Sequence, residues 1–80
     1  MNIDIKSIFG EILFSFEKED NTIKDTLVEA YLEGIDLKYS DLRNANLEDV
    51  DFNESDLKGI NLENANLKGA NLSNANLNCA

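Results

Sequence analysis

Residues 35–79 read IDLKY SDLRN ANLED VDFNE SDLKG INLEN ANLKG ANLSN ANLNC, which is one five-residue unit repeated without a break. The third residue of every unit is large and apolar, and the first is small or β-branched. Asp or Asn stands between them every time, and the last two positions are polar or Gly except at Tyr39 and Cys79. Self-similarity at a fixed period predicts a solenoid, in which each unit lies on its neighbours.

A period of five fits neither a helix, which repeats near 3.6 residues, nor a strand, which repeats every 2. Five residues can form one short extended segment and one corner, with the first and third side chains inward and Asp or Asn outward. The polar pair that ends each unit has the composition of turns, so the corners lie there. The predicted core ladder is Leu37, Leu42, Leu47, Phe52 and Leu57.

The stretch Ala65–Leu77, which reads ANLKGANLSNANL, resembles the A(D/N)LxX signature of pentapeptide-repeat proteins. The resemblance covers residues 35–79 in nine units without an insertion. It implies an all-β solenoid, a right-handed quadrilateral β-helix with four units, or about 20 residues, in each coil. Departures such as Phe52 in place of Leu, or Ser40 and Ser55 in place of Ala, are exchanges of size within a packed interior.

Residues 1–34 lack the repeat, and we expect them to form an N-terminal cap. Alternating apolar residues on both sides of Phe9-Gly10 predict a β-hairpin whose apolar face would carry Ile3, Ile5, Ile12, Phe14 and Phe16. Thr22 then begins a helical pattern that ends near Gly34, with an inward side formed by Ile23, Leu27, Ala30 and Tyr31. The predicted division is a hairpin-and-helix cap over 1–34 and a pentapeptide-repeat β-helix over 35–80.

The C-terminal coil, defined here as residues 60–79, has no comparable cap in this sequence, and only Ala80 follows it. Terminal units of repeat proteins need a cap, and exposed strand edges and apolar patches favour pairing. One explanation is an end-to-end homo-oligomer, and the other is a chain shortened from a longer array. We favour a dimer whose interface consists of Leu62, Leu67, Leu72, Leu77 and Cys79.

Charge also restricts the partners. The chain has 16 acidic and 7 basic side chains and a net charge of −9, which argues against direct binding of nucleic acid, because that requires Lys and Arg. The densest charge, called the acidic surface below, consists of Glu48, Asp49, Asp51, Glu54 and Asp56. It is either solvated surface that maintains solubility or a site for a protein partner with a basic surface.

The family resemblance implies one specific form of the second alternative. Fluoroquinolone-resistance members of the family resemble duplex DNA and inhibit DNA gyrase, so the acidic surface could imitate DNA toward a DNA-binding protein such as a topoisomerase. Two coils, however, span only about 10 Å, which is the length of about three base pairs. A monomer is therefore short for this role.

Catalytic and cofactor sites are not predicted. The chain has no His, one Cys and no Gly-rich phosphate loop, so we expect a non-enzymatic protein without a cofactor. Residues 49–53 match the start of a calcium loop, but Glu54 and Ile60 stand where that loop needs Gly and a bidentate Glu. A lone Cys79, no apolar run of membrane-spanning length and no signal-peptide pattern predict a cytoplasmic protein away from membranes. The expected function is structural or protein–protein interaction.

Overall fold

A computed structural model describes residues 1–79 of the chain; Ala80, the last residue of the predicted β-helix, lies outside them. Strand β1 covers Asn2–Lys6, strand β2 covers Ile12–Glu17 and helix α1 covers Ile23–Leu32. The repeat region follows the helix and consists of turns joined by isolated β-bridges.

The predicted hairpin is present, because β1 and β2 pair as an antiparallel two-stranded sheet. Ile3 lies opposite Phe16 and Ile5 lies opposite Phe14, and Ile5 is fully buried. After Ile5 the register shifts, so that Lys6 pairs with Ile12. An extra residue in one strand is a β-bulge, and it moves Ile12 to the side of Lys6. Ile12 is 58% exposed, so its predicted place on the buried apolar face was wrong.

Helix α1 begins as predicted, with Thr22 as the N-cap residue whose Oγ1 accepts a 3.0 Å hydrogen bond from the Asp25 amide. Its buried side holds Thr26, Leu27 and Ala30. Tyr31 is 63% exposed, and its predicted inward position was wrong. Because Thr26 is buried, the buried side of the helix is centred away from Tyr31. The Thr26 hydroxyl can be buried because it donates to the Thr22 carbonyl at 3.0 Å.

The repeats pair in the predicted register of 20 residues. Parallel bridges join Asp41 to Asn61, Asn46 to Asn66, Asp51 to Asn71 and Asp56 to Asn76. At each bridge the backbone bonds run in both directions; for example, the Leu47 amide donates to the Asn66 carbonyl and the Asn66 amide donates to the Ala45 carbonyl, both at 2.9 Å. Four five-residue units therefore separate residues that lie beside one another.

Every unit ends in a tight turn whose second residue has a positive φ: Tyr39, Asn44, Asp49, Glu54, Gly59, Asn64, Gly69, Asn74 and Cys79. The outward Asp or Asn of each unit accepts a hydrogen bond from the amide two residues later, as Asp51 does from Asn53 at 2.9 Å. Short side chains with an oxygen at this position stabilise such turns. The outward Asp and Asn residues are thus part of the folding pattern.

The predicted core ladder is buried and forms one cluster with residues of the hairpin and the helix. Leu47 and Leu57 are 0% exposed, and Ile5, Leu27 and Ala30 belong to the same cluster. The hairpin also pairs with the repeats, because the Asp41 amide donates to the Lys6 carbonyl at 2.8 Å. Residues 1–34 therefore share a core with the first coil, residues 35–54, while the boundary between 34 and 35 stays a prediction.

Gly59 offers a test of how closely the units stack. We expect Gly59→Ala to destabilise the fold by about 2 kcal/mol, roughly 1 for the positive φ and the rest for contact with a neighbouring side chain. An added Cβ at Gly59, where φ is +72°, would collide with the ring of Tyr39. Urea unfolding followed by circular dichroism measures the loss.

Gly34→Ala is the matched control for this substitution. Gly34 has a φ of +71°, but a Cβ there meets no atom within 4 Å. Gly34→Ala should therefore lower the free energy of unfolding only through the unfavourable positive φ. Equal losses at the two positions would mean that Tyr39 does not pack tightly on the unit below.

Candidate functional site

Sequence analysis predicted two functional surfaces, the acidic surface and the C-terminal coil. On the acidic surface, Asp49, Asp51, Glu54 and Asp56 are exposed and Glu48 is half-buried. Two of the five carboxylates have a structural role, because Asp51 accepts from the Asn53 amide at 2.9 Å and Asp56 from the Lys58 amide at 3.3 Å. The turn residues Asp49 and Glu54 are exposed, so a partner can reach their carboxylates, although Glu54 Oε1 already accepts a 3.4 Å hydrogen bond from the Asn53 side-chain amide.

The acidic surface is only one coil high. The residues 20 positions later, which lie beside its members in the next coil, are Lys68, Gly69, Asn71, Asn74 and Asn76. At one of these positions the side-chain amide of Asn76 donates from Nδ2 to the Asp56 carboxylate at 3.1 Å. The surface is therefore a compact patch and not a column of charge along the stack.

Helix α1 brings a base to the edge of this surface, which sequence analysis missed. The Lys24 ammonium donates to the Glu48 backbone carbonyl at 2.9 Å. Residues 48–56 contain no base. Lys24 lies in a separate element and reaches the acidic surface only because α1 packs beside it. No motif in the sequence signals this contact.

Three basic side chains in the described residues form ion pairs, and none of them pairs with a carboxylate of the acidic surface. Arg43 holds the Asp41 carboxylate through Nε and Nη2, each at 2.9 Å. This fork keeps the pKa of Asp41 below its ordinary value and raises the pKa of Arg43. Lys18 and Lys38 pair with Asp25 and Asp36. In residues 1–79, no ion pair uses a side chain of the acidic surface.

The C-terminal coil is less buried than the coil before it. Leu62, Leu67 and Leu72 are half-buried and Leu77 is 37% exposed, whereas Leu42 and Leu47 are at most 3% exposed. Cys79 is a free, exposed thiol at the last described corner. The predicted interface residues therefore lie together at one end of the repeat region, with their apolar side chains partly in water.

The backbone of this coil also has an unpaired edge. In the preceding coil the amides of Leu42, Leu47 and Phe52 donate to carbonyls of the following coil at 2.7–2.9 Å. The corresponding amides of Leu62, Leu67 and Leu72 have no hydrogen-bond partner within residues 1–79. The same edge carries the carbonyls of Ala65, Ala70 and Ala75, which accept no bond from the described residues.

Two further observations concern the described residues as a whole. No group of three or more His, Cys, Asp or Glu side chains within residues 1–79 is arranged to hold a metal ion. No helix in the described residues, α1 included, has the length and apolar character needed to cross a membrane.

Comparison with known proteins identifies the repeat. The family model described as pentapeptide repeats matches eight copies, over residues 26–64 and 45–80. Comparisons with curated proteins and with solved structures gave no match. Pentapeptide repeats generally form a right-handed β-helix and serve as structural or interaction modules, and proteins built from them are generally non-enzymatic scaffolds. Because the matched ranges extend over more than half of the sequence and span residues 35–79, the chain belongs to the pentapeptide-repeat family.

Proposed function

We propose that the protein is a non-enzymatic protein–protein interaction module, built as a right-handed quadrilateral β-helix and paired end to end as a homodimer through its C-terminal coil. The observation that carries this proposal is the coincidence, in one coil, of a free backbone edge and incompletely buried leucines. The bridges between residues 20 apart support the four-sided coil, since four units of five residues return the chain to the same face.

The free edge is suited to a second copy of itself. It alternates amide donors, at Leu62, Leu67 and Leu72, with carbonyl acceptors, at Ala65 and Ala70. Unpaired backbone groups at a sheet edge are a template for further pairing. A two-fold axis brings the same edge of both copies together, so that amide donors of each copy can face carbonyl acceptors of the other.

Apolar burial favours the same contact. Leu62, Leu67 and Leu72 are half-buried, and a second coil laid on them would remove their remaining apolar surface from water at about 25 cal/mol for each Å². Charge does not oppose this approach, because the C-terminal coil carries one acid, Glu63, and one base, Lys68, and is therefore neutral on balance. The net charge of −9 is concentrated elsewhere, so the two copies meet through their most neutral ends.

Solution mass measured by light scattering, over a range of concentrations and with a reducing agent, tests the proposed dimer. The reducing agent excludes a disulfide between two Cys79 thiols as the cause. Twice the chain mass of 8.9 kDa is expected, falling toward 8.9 kDa on dilution. A monomer at every concentration would contradict the proposal.

The second candidate function is inhibition of a DNA-binding protein, such as a topoisomerase, by DNA mimicry. The observation that favours it is the absence of ion pairs on the acidic surface within residues 1–79. The small height of this surface, confined to one coil, makes it the weaker candidate.

DNA supercoiling by purified gyrase tests this candidate. The wild-type protein should inhibit the reaction, and the triple variant Asp49→Asn, Asp51→Asn, Glu54→Gln should lose most of that inhibition, because it removes three negative charges. Asp51→Asn retains an oxygen for the turn bond to the Asn53 amide. The control is a variant with three charges removed elsewhere, at Glu11, Glu19 and Asp20. An inactive wild-type protein would exclude the candidate.

A further inference from the structure

A groove lies between helix α1 and the edge of the fourth unit, at the end of the repeat region opposite the C-terminal coil. Its volume is about 320 Å³. The helix lines one side through Leu27, Val28, Tyr31 and Leu32, and residues 50–55 line the other. A smaller cavity of about 240 Å³ continues it past Tyr31 toward Asp36 and Asp56.

The helix side of the groove exposes three large apolar side chains. Val28 is 53% exposed, Tyr31 is 63% exposed and Leu32 is 70% exposed. They form a single patch on the outward side of α1, and contiguous apolar patches are typical of binding surfaces. The buried face of α1 is already occupied by the core, so these residues have no role in its packing.

The repeat side of the groove has a free backbone edge. In the next coil, the Asn71 amide donates to the Val50 carbonyl, the Asn71 carbonyl accepts from Phe52 and the Ser73 carbonyl accepts from Glu54, at 2.7–2.9 Å. The repeat register directs the equivalent groups one coil earlier, on Asp51 and Asn53, toward the N-terminal end. None of these groups has a hydrogen-bond partner within the described chain.

Neighbouring units are partly covered at the same edge. The hairpin pairs with the second unit, since the Asp41 amide donates to the Lys6 carbonyl at 2.8 Å. In the third unit Lys24 of α1 donates to the Glu48 carbonyl, while the Asn46 amide and carbonyl have no hydrogen-bond partner in the described residues. The fourth unit, with Asp51 and Asn53, is therefore an open segment of edge beside an apolar groove.

The groove is acidic at its rim. Asp51 and Glu54 line the main cavity, Asp36 and Asp56 line its continuation, and neither cavity has Lys or Arg among its lining residues. Asp36 is paired with Lys38 at 3.8 Å, whereas Asp51, Glu54 and Asp56 form no ion pair within the described residues. This charge disfavours a second copy of the chain as the occupant, because two copies would place carboxylates against carboxylates. It favours an occupant that carries Lys or Arg.

We propose that this groove binds an extended basic segment of a partner protein, which adds a strand to the open edge at Asp51 and Asn53. Side chains alternate along an extended strand, so apolar residues of the segment would enter the groove beside Val28, Tyr31 and Leu32. Lys or Arg residues between them would face Asp51 and Glu54. The site is separate from the C-terminal coil and does not depend on the proposed dimer.

Binding of a fluorescein-labelled peptide, Lys-Val-Lys-Leu-Lys-Val-Lys, to the full chain tests this proposal. Fluorescence anisotropy should show saturable binding. In NMR spectra of the protein, the backbone amide resonances that shift most when the peptide is added should belong to residues 28–32 and 51–54. A peptide with Glu in place of every Lys should not bind, and one with Ser in place of Val and Leu should bind more weakly. No saturable binding, or shifts centred on another surface, would overturn the proposal.

Variants of the protein separate groove binding from general attraction to an acidic chain. Leu32→Ser should weaken binding about threefold or more, and Asp51→Asn combined with Glu54→Gln should weaken it about two- to tenfold. The matched controls are Ile12→Ser, which removes an apolar side chain that is 58% exposed on the hairpin, and the double variant Glu11→Gln, Glu63→Gln. Equal losses in the controls would overturn the proposal.

Failure of the proposed peptide binding can also be distinguished from failure of the proposed dimer. Leu77→Lys changes the C-terminal coil only, so it should leave peptide affinity unchanged whatever its effect on mass. A fall in solution mass caused by Leu32→Ser would mean that a second copy occupies the groove, and this result would also overturn the proposal.

Discussion

Leu77→Lys is expected to convert the proposed dimer to a folded monomer, weakening association by at least about 30-fold. Leu77 is 37% exposed at the open end, so Lys there can extend into water in the monomer. Across a two-fold interface the substitution places two ammonium groups in apolar surroundings, one from each copy. Light scattering in the presence of a reducing agent measures the mass, and circular dichroism confirms that the fold is retained.

The matched control is Ile12→Lys, which introduces the same charge at an exposed apolar residue of the hairpin. It should leave the mass unchanged. If Leu77→Lys and the wild-type protein have the same dimer mass, the interface lies elsewhere and the C-terminal coil is not the contact.

The second large effect is expected in the core, where Leu47→Ala should lower the free energy of unfolding by about 2–5 kcal/mol. Leu47 is 0% exposed and belongs to the cluster that joins the repeats to Ile5 and Leu27. A domain of this length has a stability of about 4–12 kcal/mol, so this loss is a large fraction of the total. Urea unfolding gives the value.

Leu67→Ala is the control, because Leu67 is in the same position one coil later but is only half-buried. Both substitutions are best compared in the Leu77→Lys background, where dimer burial does not contribute to Leu67. The loss at Leu67 should be clearly smaller. Equal losses would mean that the open end is as well packed in solution as the first coil.

The repeat region could be predicted because its structure is determined within each unit. The bond from the Asn53 amide to Asp51 and the bond from the Ser55 amide to the Phe52 carbonyl both lie within a few residues of chain. The same chemistry recurs in each unit, so the period in the sequence becomes the period of the turns. The Asp and Asn positions and the corners follow from that repetition, whereas the register of 20 residues was implied by the family resemblance.

The N-terminal elements were predicted in kind but not in detail. The β-bulge after Ile5 depends on how the hairpin meets the repeats, and it moved Ile12 to the exposed side. Burial of Thr26 in place of Tyr31 depends on how α1 lies on the core. Both differences depend on packing against residues that are distant in the sequence. Local alternation and helical periodicity contain no information about that packing.

Period and composition therefore predict the core ladder and the acidic surface, and the repeat motif indicates the family, since all of these depend on residues close together in the chain. Docking of α1 and the hairpin on the first coil decides the rest. It directs Lys24 to the Glu48 carbonyl, leaves the edge at Asp51 open and forms the acidic, apolar groove beside it. These features combine groups more than 20 residues apart, so they exist only when the chain is folded.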